Sequence, residues 1–429
     1  DYDINASGTL NHITSPTGSY SIYEDDATAS YDFGYSILPE YASYYSISTA
    51  AYTNQMISAT GGMTTLLFPI TSISTYTDVA SYIVPLSPPV PGFTYTNRVF
   101  YGNLGPATVP AGTLAFNNGA VVSILSISEP SAALTTTGFT FNYTNLLPFE
   151  YRFIDVEMTV PVLPVVNLGD LVTNTVSITP INSDINPINN VQTSTQIIIG
   201  SYDPNDKMES HGPEILHTSF TENDYLFYTI RFQNSGTASA VNVRIEDFLN
   251  PMIDEESLRM IQSSHNYTLD RVDNHLVWYF NNIQLPHEDF SYELSQGYVY
   301  FKVKLKPGFE VGDVVPNGAS IYFDFNPPII TNTFNTTFTA NLSNPFANLE
   351  VIKVYPNPMK DVLNISLSSS SGLVKEVIIT SVLGKQIKVI KIDNLKEFQI
   401  PVKDLATGIY LLEITTSNNK KHTQKIVKE

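Results

Sequence analysis

The feature that most constrains this chain is its punctuation. Short runs in which apolar residues alternate with polar ones end repeatedly at proline, glycine or asparagine. Successive side chains of a strand point to opposite faces, so such a run makes a strand with one buried face. Leu363, Ile365 and Leu367 alternate in this way directly after Tyr355-Pro356-Asn357-Pro358. Proline fixes φ and lacks a backbone donor, so two prolines around Asn357 force a bend where no regular strand can run. The runs at 374–382, 386–392, 398–402, 408–415 and 421–427 then read as strands. Leu383-Gly384-Lys385 and Ala406-Thr407-Gly408 supply turns, with Gly384 and Gly408 giving the needed backbone freedom. Tyr410 and Leu411 fall on opposite faces of one strand, and Lys425 and Val427 belong to the last. These strands build one small β-sandwich of about eighty residues, a usual domain size.

The rest of the chain divides by the same signals. At about 100–200 residues per domain, 429 residues predict three or four domains. Residues 1–88 are β-rich, with strand-like stretches at 20–23 and 41–47, and form a module of their own or the end of a larger domain. Ser87-Pro88-Pro89-Val90-Pro91-Gly92 reads as a semi-rigid linker, because such proline density favours an extended spacer. Residues 89–200 carry strand signals at short, even spacing, as in an immunoglobulin-like sandwich. The loop at 184–190 reads as an Asx-rich turn. Residues 201–345 form a third module, with its firmest strands at 226–232, 241–245, 276–280, 299–305 and 319–325. Residues 346–429 are the terminal sandwich. The fold class expected is all-β, tandem Ig-like sandwiches ending in a small one.

Charge is placed unevenly. Residues 350–429 hold 12 lysines against 8 acidic residues, whereas residues 201–349 carry a net −11 and residues 1–200 a net −12. An acidic body repels nucleic-acid phosphates, so no nucleic-acid partner is expected. Lys420, Lys421, Lys425 and Lys428 are either a solvated strand face or a docking surface for an acidic partner. With no cysteine there is no disulfide, thiolate metal site or cysteine nucleophile. No apolar run reaches the 18 residues of a spanning helix. Asp1-Tyr2-Asp3 lacks the basic and apolar regions of a secretory leader, so a leader has been removed or the chain starts inside a longer one.

Catalytic patterns are not found. The seven histidines make no H-E-x-x-H, and neither a phosphate loop nor a G-x-S-x-G elbow occurs. Glu246-Asp247 and Asp254-Glu255-Glu256 are carboxylate clusters that acid–base chemistry would need converging across a cleft; loop charges are the plainer reading. Glu24-Asp25-Asp26 reads as an exposed acidic turn rather than a cation site. Trp278, Tyr279, Tyr292, Tyr298 and Tyr300 suit either stacking on sugar rings or core packing, and alternation along the strand buries at least one set. No enzyme activity is expected.

The terminal stretch carries a resemblance. Val-Tyr-Pro-Asn-Pro, Ser-Val-Leu-Gly-Lys, Leu-Ala-Thr-Gly-Ile-Tyr-Leu-Leu and a final Lys-Ile-Val-Lys follow one another in that order. Together they resemble a type A C-terminal sorting domain of the type IX secretion system. The resemblance implies export through the periplasm and outer membrane to the cell surface or medium, with recognition by the translocon and its outer-membrane shuttle barrel. Residues Tyr355, Pro356, Asn357, Pro358, Gly384, Gly408, Tyr410, Lys425 and Val427 would then shape or present the sorting signal. The third module, through Tyr322-Phe323-Asp324-Phe325-Asn326-Pro327-Pro328-Ile329, resembles an Ig-like domain that often precedes such sorting domains in surface proteins, and the 184–190 loop resembles loops of Ig-like repeats in bacterial surface proteins. Asp203-Pro204-Asn205-Asp206 resembles part of the calcium-binding linkers of cadherins, which implies calcium held by Asp203, Asn205 and Asp206; a proline-anchored Asx turn is the other reading. The function implied is that of an exported, non-enzymatic stalk, adhesin or gliding-motility component with a surface glycan or protein ligand. Its alternatives are the accessory region of a secreted hydrolase and a glycan-binding module.

Overall fold

A computed structural model describes residues 11–13, 18, 28–56, 62–180, 184–200, 202–340, 352–367, 373–381, 386–417 and 421–429. The stretches expected at 20–23 and 24–26, together with Gly384 and Lys420, lie outside the described residues. Every described regular element is a strand or a 3-10 turn, so the chain is all-β. It forms two compact units, residues 1–342 and 343–429.

Two sandwiches make up most of the first unit. In the first, strands Val79–Pro85, Thr94–Asn103, Tyr151–Thr159 and Ser123–Ile127 form one sheet in that order. The facing sheet runs Ala133–Leu134, Gly138–Leu146, Val109–Asn117, Leu171–Ile178 and Val191–Ile197. Alternation sends Val99, Leu114, Phe116, Phe139, Ile154, Val156 and Val176 into one core between the sheets. The second sandwich opposes Asp206–Glu209, Tyr225–Gln233, Gln296–Leu305 and Ile253–Ser263 to a sheet centred on His275–Phe280, Val243–Phe248 and Ala319–Phe323. Its core holds Leu226, Tyr228, Ile230, Ile245, Trp278, Phe280, Phe301 and Ile321.

One expectation is corrected here and an open one is settled. Residues 87–92 are not a spacer between modules. Val79–Pro85 pairs antiparallel with Thr94–Asn103, from Val79 opposite Asn103 to Pro85 opposite Asn97, which makes the proline-rich stretch a hairpin connection. Of the two readings left open for residues 1–88, the pairings of the described residues are those of the end of a larger domain. Their last strand belongs to the first sandwich, and Asn11–Ile13 adds an edge strand beside Thr268–Val272 of the second. The two sandwiches also pack against each other. Val79–Pro85 is buried on both faces: Val79 and Ile83 enter the first core, while Ala80, Tyr82 and Val84 pack with Phe100 against Tyr298 and Tyr300 of the second sandwich. Tyr82, Phe227 and Tyr300 form an aromatic triangle with centroids 6.3–6.4 Å apart. Polar bonds cross the same seam, from Arg231 Nη1 to the Pro85 carbonyl (3.2 Å) and from the Thr195 amide to the Ser210 carbonyl (2.7 Å).

The second unit is the terminal sandwich. Ile352–Tyr355, Val362–Leu367 and Glu397–Pro401 form one sheet. Gln386–Leu395, Val374–Ser381, Gly408–Thr416 and Lys421–Lys428 form the other. Leu363, Ile365, Val377, Ile379, Ile400, Leu412, Ile414 and Ile426 fill the space between them.

Candidate functional site

The opening bend of the terminal sandwich is stitched to its last strand. The Asn357 side chain donates from Nδ2 to the Lys425 carbonyl at 3.0 Å and accepts from the Val427 amide at 2.8 Å. One step on, the Met359 amide donates to the Val427 carbonyl (2.7 Å) and the Glu429 amide to the Met359 carbonyl (3.0 Å). An asparagine between two prolines suits this place, because neither proline can donate and the side-chain amide supplies both a donor and an acceptor. Two sequence pieces some seventy residues apart therefore make one structural patch. Pro356, Asn357 and Pro358 are exposed, and Tyr355 is 52% exposed.

Beside the bend lies a shallow depression of about 500 Å3 lined by Pro356, Pro358, Lys360, Asp361, Val362, Asn364 and Gln399. Its floor is a polar ladder across three strands: Gln399 Nε2 donates to Asn364 Oδ1 (2.9 Å), and Asn364 Nδ2 to the Tyr355 carbonyl (2.9 Å). Sequence reasoning missed Asn364 and Gln399; their only signal is the polar side of two alternating strands.

The remaining expected residues divide by face. Tyr410 is inward and nearly buried, its hydroxyl donating to the Ala406 carbonyl at 2.8 Å. Ile426 is fully buried, which turns Lys425 and Val427 outward on either side of it. Across the ladder Val427 lies opposite Ile409, and Lys425 opposite Leu411. Ile409 and Leu411 are 46% and 41% exposed, so the outer face of this sheet is apolar with cations among it. Gly408 opens the strand Gly408–Thr416. On the far edge strand of this sheet Lys388 reaches the Pro401 carbonyl and both Asp404 oxygens at 2.8–3.0 Å, and that hydrogen bond holds the exposed Asp404 carboxyl below its usual pKa.

Other candidates resolve into packing. Asp203 Oδ1 accepts from the Asn205 amide (2.8 Å) and from its side chain (3.2 Å), which is an Asx turn. Asn205 Oδ1 accepts from the Gln233 amide (3.0 Å), and Asp206 is held by a bidentate pair with Arg231. The hydrogen bonds drawn here are those of the other reading, a proline-anchored Asx turn beside an ion pair. Asp247 is buried against Lys207, Glu246 pairs with Arg244 at 3.2 Å, and Glu255 with Lys306 at 2.9 Å. Asp254, Glu255 and Glu256 lie within the strand Ile253–Ser263 rather than in a loop. Trp278 and Tyr300 are fully buried, Tyr298 nearly so, and Trp278 Nε1 donates to Met260 Sδ at 3.2 Å. Only Tyr292, 56% exposed, meets solvent broadly; with Tyr202, Arg98 and Glu293 it lines a cavity of about 150 Å3 at the seam between the sandwiches.

Residues 353–429 match the family described as the secretion system C-terminal sorting domain. The terminal sandwich is a type IX sorting domain. It directs export across the outer membrane to the surface or the medium, and it is the part recognised by the secretion machinery. Residues 203–337, nearly the whole second sandwich, match a family described as "Domain of unknown function (DUF7619)". No curated relative matches the chain. Among solved structures the chain is similar to the BSP domain of a biofilm-associated protein, at 10% identity and TM-score 0.26 over 87% of this chain and 84% of that one. It is also similar to the collagen adhesin of S. aureus, at 11% identity and TM-score 0.22 over 62% and 92%. A third is the C-terminal domain of the Streptococcus pyogenes antigen I/II-family protein AspA, at 11% identity and TM-score 0.21 over 61% and 99%. These superpositions are too loose to transfer a site.

Proposed function

We propose that the sorting domain presents two adjoining surfaces to the translocon and its shuttle barrel: the Tyr355–Pro358 bend, and the outward face carrying Ile409, Leu411, Lys425 and Val427. The observation that carries this is the pair of hydrogen bonds joining Asn357 to Lys425 and Val427. The bend and the terminus become one rigid surface, so a partner meets it without first ordering a loose tail. The cargo, residues 1–342, acts outside the cell as a non-enzymatic structural block: a stalk, an adhesin-like component or a gliding-motility component. Support comes from where the chemistry-bearing residues went. Glu246, Asp247 and Glu255 are held in ion pairs, and most of the aromatics singled out lie in cores.

Removing residues 350–429 tests the sorting role. The truncated protein should collect in the periplasm, and its normal arrival in the medium would end the proposal. One observation favours a second reading. Tyr292 and Tyr202 stand exposed at a small cavity with Arg98 and Glu293, the mixture of ring faces and charge that sugar recognition uses. Binding on a glycan array that Tyr292→Ala abolishes would support it, and an array without hits removes it.

A further inference from the structure

We propose that Lys207 and Asp247 condense into an amide bond that ties the first strand of the second sandwich to its opposite sheet. Lys207 lies on Asp206–Glu209, an edge strand of the four-stranded sheet. Asp247 lies on Val243–Phe248, inside the six-stranded sheet facing it. The two side chains meet across the core, Nζ against Oδ2, and neither exposes any surface. The Lys207 nitrogen sits 4.8 Å from the Tyr228 ring centre and 5.5 Å from that of Phe301. The other carboxyl oxygen, Asp247 Oδ1, is buried without a hydrogen-bond partner.

As an ion pair this arrangement is poor. Two charges have been taken out of water, and one carboxylate oxygen lacks the donors that usually offset burial. Burial pushes the Lys207 amine below its ordinary pKa and the Asp247 carboxyl above its own, each against the attraction of the other. Both directions favour the neutral pair, an amine and a carboxylic acid, which are the species that form an amide.

Both partners are also held in place. The Lys207 amide donates to Asn332 Oδ1 and its carbonyl accepts from Asn332 Nδ2, each at 2.9 Å. Asp247 is fixed by pairing to Leu276 on one side and Ala319 on the other. Groups fixed this way react with effective molarities of about 10⁵–10⁸ M, and the dry core leaves no bulk water to reverse the step. The balance is internal. A proton passes from the ammonium to the carboxylate, the amine nitrogen attacks Cγ, the C–N bond forms and the C–O bond breaks. The departing oxygen leaves as water with the transferred proton and one more from the nitrogen. Nothing is oxidised or reduced and no co-reactant enters. For an exported chain with no cysteine, this bond closes a forty-residue loop as a disulfide would.

Intact-mass spectrometry of the folded full chain tests it, with peptide mapping after digestion. The expected result is a mass lower than the sequence mass by one water, and a branched peptide joining the segments around Lys207 and Asp247. Lys207→Arg should restore the full mass. If that variant does not fold, Lys207→Met combined with Asp247→Leu removes both charges, keeps the core apolar and should also show the full mass. A folded wild-type protein at full sequence mass overturns the proposal. So does a water loss that maps elsewhere, or one that persists in the double variant.

Discussion

Asn357 shows how much one polar side chain settles. Its amide satisfies the Lys425 carbonyl and the Val427 amide together, a geometry closed to aspartate or alanine. Asn357→Ala should cost about 1–2 kcal/mol locally, since each net hydrogen bond contributes about 0.5–1.5 kcal/mol. Faster hydrogen exchange at the Val427 amide, with core amides unchanged, is the readout. Asp78 makes a second prediction at this scale. It accepts from Asn189 Nδ2 (2.9 Å) and the Tyr41 hydroxyl (3.3 Å), but burial pushes its pKa up to about 6, helped by the charge of Asp184. Between about pH 4 and pH 6 the folded state holds this proton while the unfolded chain has released it. Stability from this group therefore falls as pH rises through that window and is level above it, by on the order of 2 kcal/mol. Urea midpoints at pH 5 and pH 7 should differ less in Asp78→Asn than in the wild type.

At the scale of the element, the final strand has two separable jobs. Ile426 is in the core while Lys425 and Val427 face outward. Ile426→Asp places a charge where no partner waits, and should unfold the terminal sandwich at a cost of several kcal/mol. Lys425→Glu changes only the outer face, so protease resistance should stay at the wild-type level while export to the medium drops. Equal export by Lys425→Glu and wild type would assign this strand to fold maintenance alone. The strand Val79–Pro85 shows why elements are harder to read than residues. Its seven residues are all buried, because one face meets its own core and the other meets the second sandwich. A strand covered on both sides loses the alternation that marks a half-buried one. Without it, the prolines that follow read as a linker instead of a hairpin.

For the whole molecule, the seam around Tyr82, Phe227 and Tyr300 turns two sandwiches into one block. Tyr300 is fully buried and hydrogen-bonded by Gln192 of the other sandwich. Tyr300→Ala should cost about 3–5 kcal/mol, as large aromatic truncations in cores do. Calorimetry should then resolve two transitions in residues 1–342 where the wild type gives one. A single shifted transition would mean that the sandwiches stay coupled without this ring.

What the residues determined by themselves was local and periodic: strands from alternation, and breaks from proline and glycine; the sorting domain was read from a resemblance carried by four short pieces in order. These are legible because the strand period and the proline ring act within a few residues. Only the tertiary structure decided which distant segments meet. Lys207 follows Asp203-Pro204-Asn205-Asp206 in the sequence with nothing to mark it, and the fold placed it in a dry core against Asp247. Asn357 met the terminus through a bond across seventy residues, and Val79–Pro85 met its second core through Tyr298 and Tyr300, much farther along the chain. Such contacts depend on burial and partner geometry summed over the whole chain, and no short window of residues encodes that sum.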